Sequence, residues 1–208
     1  MRMKIVAAVG FTCLLATACG GTEAGSDDAG TKPDPARTVL PQRLDQPDMD
    51  PDLEPSAPAD DAPFTEQLEH ELIVGTLKMA QAEGRTTAQC PGDVKPAKGK
   101  KTTCTSTYEG LKIEWTVTFG DDAAWSSDYV QYDAKPSTGI ITRAGVAKLL
   151  FGNFEGSIDH ALCNDIPKAV LAPLNAKSTY ACEVVDKGEK PQGWTSAVHA
   201  TDAGPRVY

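Results

Sequence analysis

Beyond residue 63, apolar and polar positions fall into two periods. Between Glu66 and Glu83, Leu68, Leu72, Thr76 and Met79 recur every three or four residues, with Ile73 and Ala80 beside them, which predicts a helix with one apolar face. Thr65 stands where an N-cap belongs. Glu66, Glu69 and Glu71 lie in the first turns, where the helix dipole favours carboxylates, and Gly84 follows as a terminator. From Lys101 the period becomes two. Lys101 to Tyr108 is Thr-rich, Glu109-Gly110 is a turn, and Leu111 to Phe119 alternates strictly. Ile113, Trp115, Val117 and Phe119 share one face of that strand, and Lys112, Glu114, Thr116 and Thr118 share the other. Ala124 to Asp133 predicts a third strand through Trp125, Tyr129 and Tyr132.

The second half repeats the order. Thr142 caps a helix, Ile141 is placed to pack on Val146 as a hydrophobic staple, and Val146, Leu149, Leu150 and Phe154 make the buried face. Ser178 to Asp186 and Trp194 to Thr201 form the matching hairpin, joined by a loop from Lys187 to Gly193. Cys104 precedes Trp115 by 11 residues, and Cys182 precedes Trp194 by 12. The fold expected is therefore α+β: a helix packed on a small antiparallel sheet with one disulfide, duplicated over 64–135 and 140–208. Trp115 and Trp194 are the expected core residues beneath the two helices.

Before residue 64 neither period is present. Residues 20–63 carry eleven Asp and Glu against three Lys and Arg, with eight prolines, a composition that reads as a disordered, extended spacer. Such a spacer of 44 residues reaches on the order of 100 Å. Val39-Leu40-Pro41 and Asp48-Met49-Asp50-Pro51 are its alternative reading, as docking peptides.

At the N-terminus, Arg2 and Lys4 precede an apolar run from Ile5 to Leu15, shorter than the roughly 20 residues a bilayer span needs. Leu14-Leu15-Ala16-Thr17-Ala18-Cys19-Gly20 then resembles a bacterial lipoprotein signal. The resemblance implies that residues 1–18 are removed, that Cys19 carries a thioether-linked diacylglycerol and an acyl chain such as palmitate, and that 19–63 is a lipid-anchored tether on the outer face of the cell membrane. Two or more acyl chains hold a protein firmly where one is marginal. A plain secretory signal cleaved at Ala16-Thr17-Ala18 is the other reading.

The formal net charge is −9 and becomes −11 without Arg2 and Lys4, which disfavours nucleic acid as a partner. With Cys13 in the leader and Cys19 assigned to lipid, four cysteines remain, and they allow three pairings. The repeat selects Cys90–Cys104 and Cys163–Cys182, each contributing roughly 3 kcal/mol through loop closure. Their spacings are not those of zinc sites and no Cys-x-x-Cys occurs, so neither a metal nor another cofactor is expected. His70, His160 and His199 stand apart in the sequence, and no nucleophile, phosphate-loop or metalloprotease motif is present, so no catalytic residue is assigned. Lys95, Lys98, Lys100 and Lys101 form the one basic cluster, a candidate contact for a partner or for an anionic envelope polymer.

Cys90-Pro91-Gly92-Asp93-Val94, followed by Gly99, Cys104, Gly110 and the strand at Val117, resembles the small domain of unknown function carried by actinobacterial envelope lipoproteins. The resemblance covers about 64–120, and more thinly 142–201, where Asn164 replaces the Pro and Asn175 stands in the Gly position. It implies a fold and a location, and no activity. The function expected is a non-catalytic binding or structural module of the envelope, meeting another envelope protein or a cell-wall polymer. The alternative is an accessory or inhibitor protein that docks on an enzyme through loop 92–101 or 187–193.

Overall fold

The alternation over 101–119 becomes the central ladder of the first of two sheets. A computed structural model describes residues 39–49, 53–92, 94–120 and 130–208. Its elements are β1 (Gln42–Leu44), α1 (Phe64–Ala80), β2 (Thr86–Gln89), β3 (Lys101–Tyr108), β4 (Leu111–Phe119), β5 (Tyr132–Pro136), β6 (Gly139–Thr142), α2 (Arg143–Asn153), β7 (Ile158–Cys163), β8 (Ala169–Ala172), β9 (Lys177–Asp186), β10 (Ser196–His199) and β11 (Arg206–Val207). The leader at 1–18, Cys19, the spacer up to residue 38 and the Trp125 to Tyr129 part of the expected third strand lie outside the described residues.

The fold is α+β, with helices packed on antiparallel sheets and two disulfides. The first sheet runs β2-β3-β4-β5, and the second β1-β7-β9-β10-β11. Without β1, both are four-stranded antiparallel meanders that follow a helix in sequence. The crosslinks sit at matching places. Cys90, just past β2, joins Cys104 in β3, and Cys163, at the end of β7, joins Cys182 directly opposite in β9. A two-residue turn with positive φ at Glu109 (48°) and Gly110 (84°) closes the β3–β4 hairpin, as its right-handed twist requires.

Each sheet carries its own core. Leu68, Leu72, Met79 and Ala80 of α1 cover Ile113, Trp115, Val117 and Phe119 of β4. Val146, Leu150 and Phe151 of α2 cover Ile158, Ala161, Cys163 and Val198. Each fully buried Leu or Ile adds roughly 1.5–3 kcal/mol. The β6–β8 ribbon lies between them, with alternate residues serving opposite sides: Ile140 joins the first core and Ile141 the second. Thr142, 1 % exposed, ties the helices together. Its hydroxyl donates to Ala80 O at the end of α1 (2.6 Å) and accepts from Gly145 N at the start of α2 (2.8 Å). Residues 37–208 thus form one compact unit.

Several expectations need correction. The spacer reading fails over its described part. Gln42–Leu44 pairs with Cys163–Ala161, Gln42 exchanges side-chain hydrogen bonds with both backbone groups of Ile166 (3.0 Å each), and Leu44 is buried in the second core. Further on, Met49 packs on the second core and Leu53 on the first. Segment-averaged composition hides single apolar residues, and β7 offers an edge that a short strand can satisfy. In α1, Pro63 and not Thr65 is the N-cap, and the helix ends at Gln81 in a left-handed conformation (φ 50°). Gly84 therefore terminates nothing. Its role is close approach, since a Cβ there would lie 2.5 Å from the Tyr108 ring. The third strand is shifted, running from Tyr132 to Pro136 as the partner of Phe119–Trp115. In α2, Phe154 falls outside the buried face and is 43 % exposed.

Candidate functional site

Trp115 and Trp194 have nearly the same spacing from a bridged cysteine and opposite surroundings. Trp115, 5 % exposed, stands directly across the ladder from Cys104, and its ring lies against α1 at Gly75. Its Nε1 donates to Ser106 Oγ (2.8 Å), which is 2.8 Å from Thr76 Oγ1, itself 2.6 Å from Leu72 O. Each hydroxyl has one proton, so the consistent order is Trp115 to Ser106 to Thr76 to the Leu72 carbonyl, with every buried group satisfied.

Trp194 is not a core residue. It is 78 % exposed and precedes β10, where Ser196, not Trp194, stands opposite Cys182. Nine residues connect β9 to β10, against two between β3 and β4. That longer connection shifts the register and carries the indole out of the sheet.

The connection is braced at both ends. Lys187 donates from its backbone N–H to Ser157 O (2.9 Å) and from Nζ to Gly156 O (3.1 Å). Further along, the backbone N–H groups of Gln192 and Gly193 donate to Glu183 Oε1, the Gly193 bond measuring 2.6 Å. Gly193 holds φ at 76°, a conformation that favours glycine. Glu183 is 2 % exposed, and among the described residues its Oε2 has no hydrogen-bond partner. An unsatisfied buried oxygen costs roughly 1–3 kcal/mol, more when charged. The fold retains that cost to fix the two peptide groups just before Trp194.

The indole borders a cleft of about 330 Å³ between the end of α2 and strands β9 to β11. Leu150, Phe154, Val184 and Val207 give it an apolar floor and wall, and Asn153, Asp186 and Ser196 supply polar groups. Among the described residues no Lys or Arg lines it. A second cleft, between residues 43–47 and the facing ends of the two helices, contains Arg43, Arg143 and Lys168. All three are engaged: Arg43 Nε with Asp45 (2.8 Å), Arg143 Nε with Ile166 O (3.0 Å) and Lys168 Nζ with Glu109 (2.9 Å). Hydrogen bonds from Lys168 and from the Arg85 backbone hold the Glu109 carboxyl below its usual range.

Of the residues singled out in the sequence, Phe154, Cys182 and Trp194 line the first cleft, while the lysine cluster and the three histidines line neither. Lys95, Lys98, Lys100 and Lys101 are exposed on the segment leading into β3. His70 is half-buried, with Nε2 3.4 Å from Pro55 O. His160 Nδ1 is 2.7 Å from Asp159, and this bond lowers the Asp159 pKa. His199 packs edge-on to Tyr208 at 5.1 Å. Cys163, the thiol nearest His160 in sequence, is bridged and cannot act as a nucleophile. Among the described residues no group of three His, Cys, Asp or Glu is placed to hold a metal ion, and no helix is long and apolar enough to cross a membrane. The signal for the Trp194 cleft lay in the length and Gly content of loop 187–193, which displaces the Trp from the hairpin pattern.

Compared with known proteins, the chain matches no family model, no curated protein and no solved structure.

Proposed function

We propose that this chain is a non-catalytic binding module of a bacterial cell envelope, anchored by lipid at Cys19 to the outer face of the cell membrane, with the Trp194 cleft as its binding face. The observation that carries the reading is Trp194 itself: a large aromatic, 78 % exposed, on a braced loop beside an open cleft. Exposed apolar surface of this kind marks interaction sites. The order of elements and the two disulfides support a duplicated unit over 64–135 and 140–208, akin to the small domain of actinobacterial envelope lipoproteins. The lysines from Lys95 to Lys101 serve as a secondary contact for an anionic polymer, and nucleic acid is not a partner. The accessory or inhibitor reading draws on the same braced loop, because a preformed loop docks with little entropy loss.

The test places a photo-crosslinking residue at position 194 in cells that make the protein. Position 112, on the outer face of β4, is the control. A discrete crosslinked species from 194 and none from 112 is expected, and equal labelling from both positions would defeat the proposal. Replacement of Cys19 by Ser is expected to release the protein from membranes into the medium.

A further inference from the structure

The chemistry of the Trp194 cleft fits one class of ligand. The inference deepens the binding-module reading and rests on it. We infer that the cleft binds a neutral glycan, with the apolar face of one pyranose ring stacked on Trp194 and its hydroxyls met by Asp186 and Asn153.

A pyranose presents a flat patch of C–H groups that matches an indole in size and shape. Its hydroxyls come in neighbouring pairs, which suit groups with two adjacent polar atoms. The cleft provides both requirements: Trp194 with Phe154 at its edge, a carboxylate at Asp186 and an amide at Asn153. The other ligand classes fit less well. An anionic polymer would meet Asp186 without a cation among the lining residues. A hydrocarbon chain would leave the three polar groups unpaired. Among the described residues Asp186 is the only carboxylate lining the cleft, whereas most glycoside hydrolases use a pair, so the geometry suits retention of a glycan. Glu183 contributes indirectly. By holding the Gln192 and Gly193 backbone it presents the indole already ordered, as a shallow site for a flexible polymer needs.

The experiment titrates purified full-length protein with neutral tetrasaccharides of mannose, glucose, galactose and N-acetylglucosamine, and with inorganic polyphosphate, by calorimetry and tryptophan fluorescence. Saturable binding of at least one tetrasaccharide is expected, with Kd of ~0.1–1 mM, and any binding of polyphosphate, through Lys95 to Lys101, should be unchanged by Trp194→Ala. Trp194→Ala should weaken that binding at least tenfold with an unchanged melting temperature. Trp194→Tyr should retain most of it, and Asp186→Ala should weaken it severalfold. The inference is overturned if no tetrasaccharide binds, if binding survives Trp194→Ala, or if polyphosphate binds in a Trp194-dependent way. If the tetrasaccharides fail while position 194 crosslinks a single protein in cells, the glycan falls and the binding module stands. If both experiments fail, both fall.

Discussion

The first sheet places Trp115 across from Cys104, and the second places Ser196 across from Cys182. Upstream of that position the order is similar: a helix, a first strand, a cysteine at or just past its end, and a second cysteine in the next strand of the sheet, with β8 intervening only in the second half. The difference arises in one connection. A two-residue turn keeps the first hairpin in register, so its Trp packs under α1 and satisfies its N–H through Ser106. A nine-residue connection frees the second, and the aromatic side chain that would have been core becomes surface. One half of the molecule thus buries its tryptophan in a core and the other leaves its tryptophan on the surface.

Truncation should separate the two tryptophans most strongly. Trp115→Ala should cost about 3–5 kcal/mol in urea unfolding, the range for large aromatic side chains removed from a core. Trp194→Ala should stay within about 0.5 kcal/mol of the parent. Comparable losses would mean that the two indoles are not divided in this way.

The disulfides test the opposite point, equivalence. Replacing Cys90 and Cys104 together by Ala, or Cys163 and Cys182 together, should cost about 2–4 kcal/mol in either case. The sequence separations are 14 and 19 residues. Because closure entropy grows only as the logarithm of loop length, the two losses should differ by about 0.3 kcal/mol. A much larger gap would show that one sheet depends on its crosslink and the other does not.

Next comes Gly84→Ala, expected to destabilise by about 1–3 kcal/mol as the new methyl group meets the Tyr108 ring. Gly152, on the exposed side of α2, should accept Ala with a small gain. Thermal melts of the two variants would settle the contrast.

The smallest effects lie in the pH profile. Burial raises the Tyr108 pKa to about 12 from 10.0, with the nearby Glu109 charge adding to the rise. The raised value means a stabilising contribution that is complete below pH 10, declines as pH rises towards 12, and disappears in Tyr108→Phe. Asp159 runs the other way. Its pKa is lowered first by the hydrogen bond from His160, so its contribution is present above the normal carboxylate range and is lost as pH falls through the lowered value. Asp159→Asn should flatten part of the acid limb and leave the alkaline limb unchanged, as read from melting temperatures across the pH range.

Legibility in the sequence followed how local each determinant is. The β3–β4 hairpin was readable residue by residue, because Leu111 to Phe119 alternates strictly and Glu109-Gly110 supplies its turn. The helix at Thr142 was readable from its cap, and both disulfides from the repeat. The strand at Gln42–Leu44 was not, since its reason for forming is the edge of β7, more than a hundred residues away. Ribbon strands β6 and β8 were missed because four apolar or small residues carry no period of their own. Cysteine-to-tryptophan spacing does not place Trp194, because the loop length, and not that spacing, sets the register.

Strand β1 also has a mechanical meaning. Any pull applied to the chain ahead of residue 39 meets the fold first at Gln42 and not at Phe64. Such tension loads the three residue pairs between β1 and β7, at the edge of the second sheet, before it reaches α1. When those pairs give way, Met49 on the second core and Leu53 on the first take the load in turn, so the chain after β1 yields in stages and β1 works as the first fuse ahead of the folded layers.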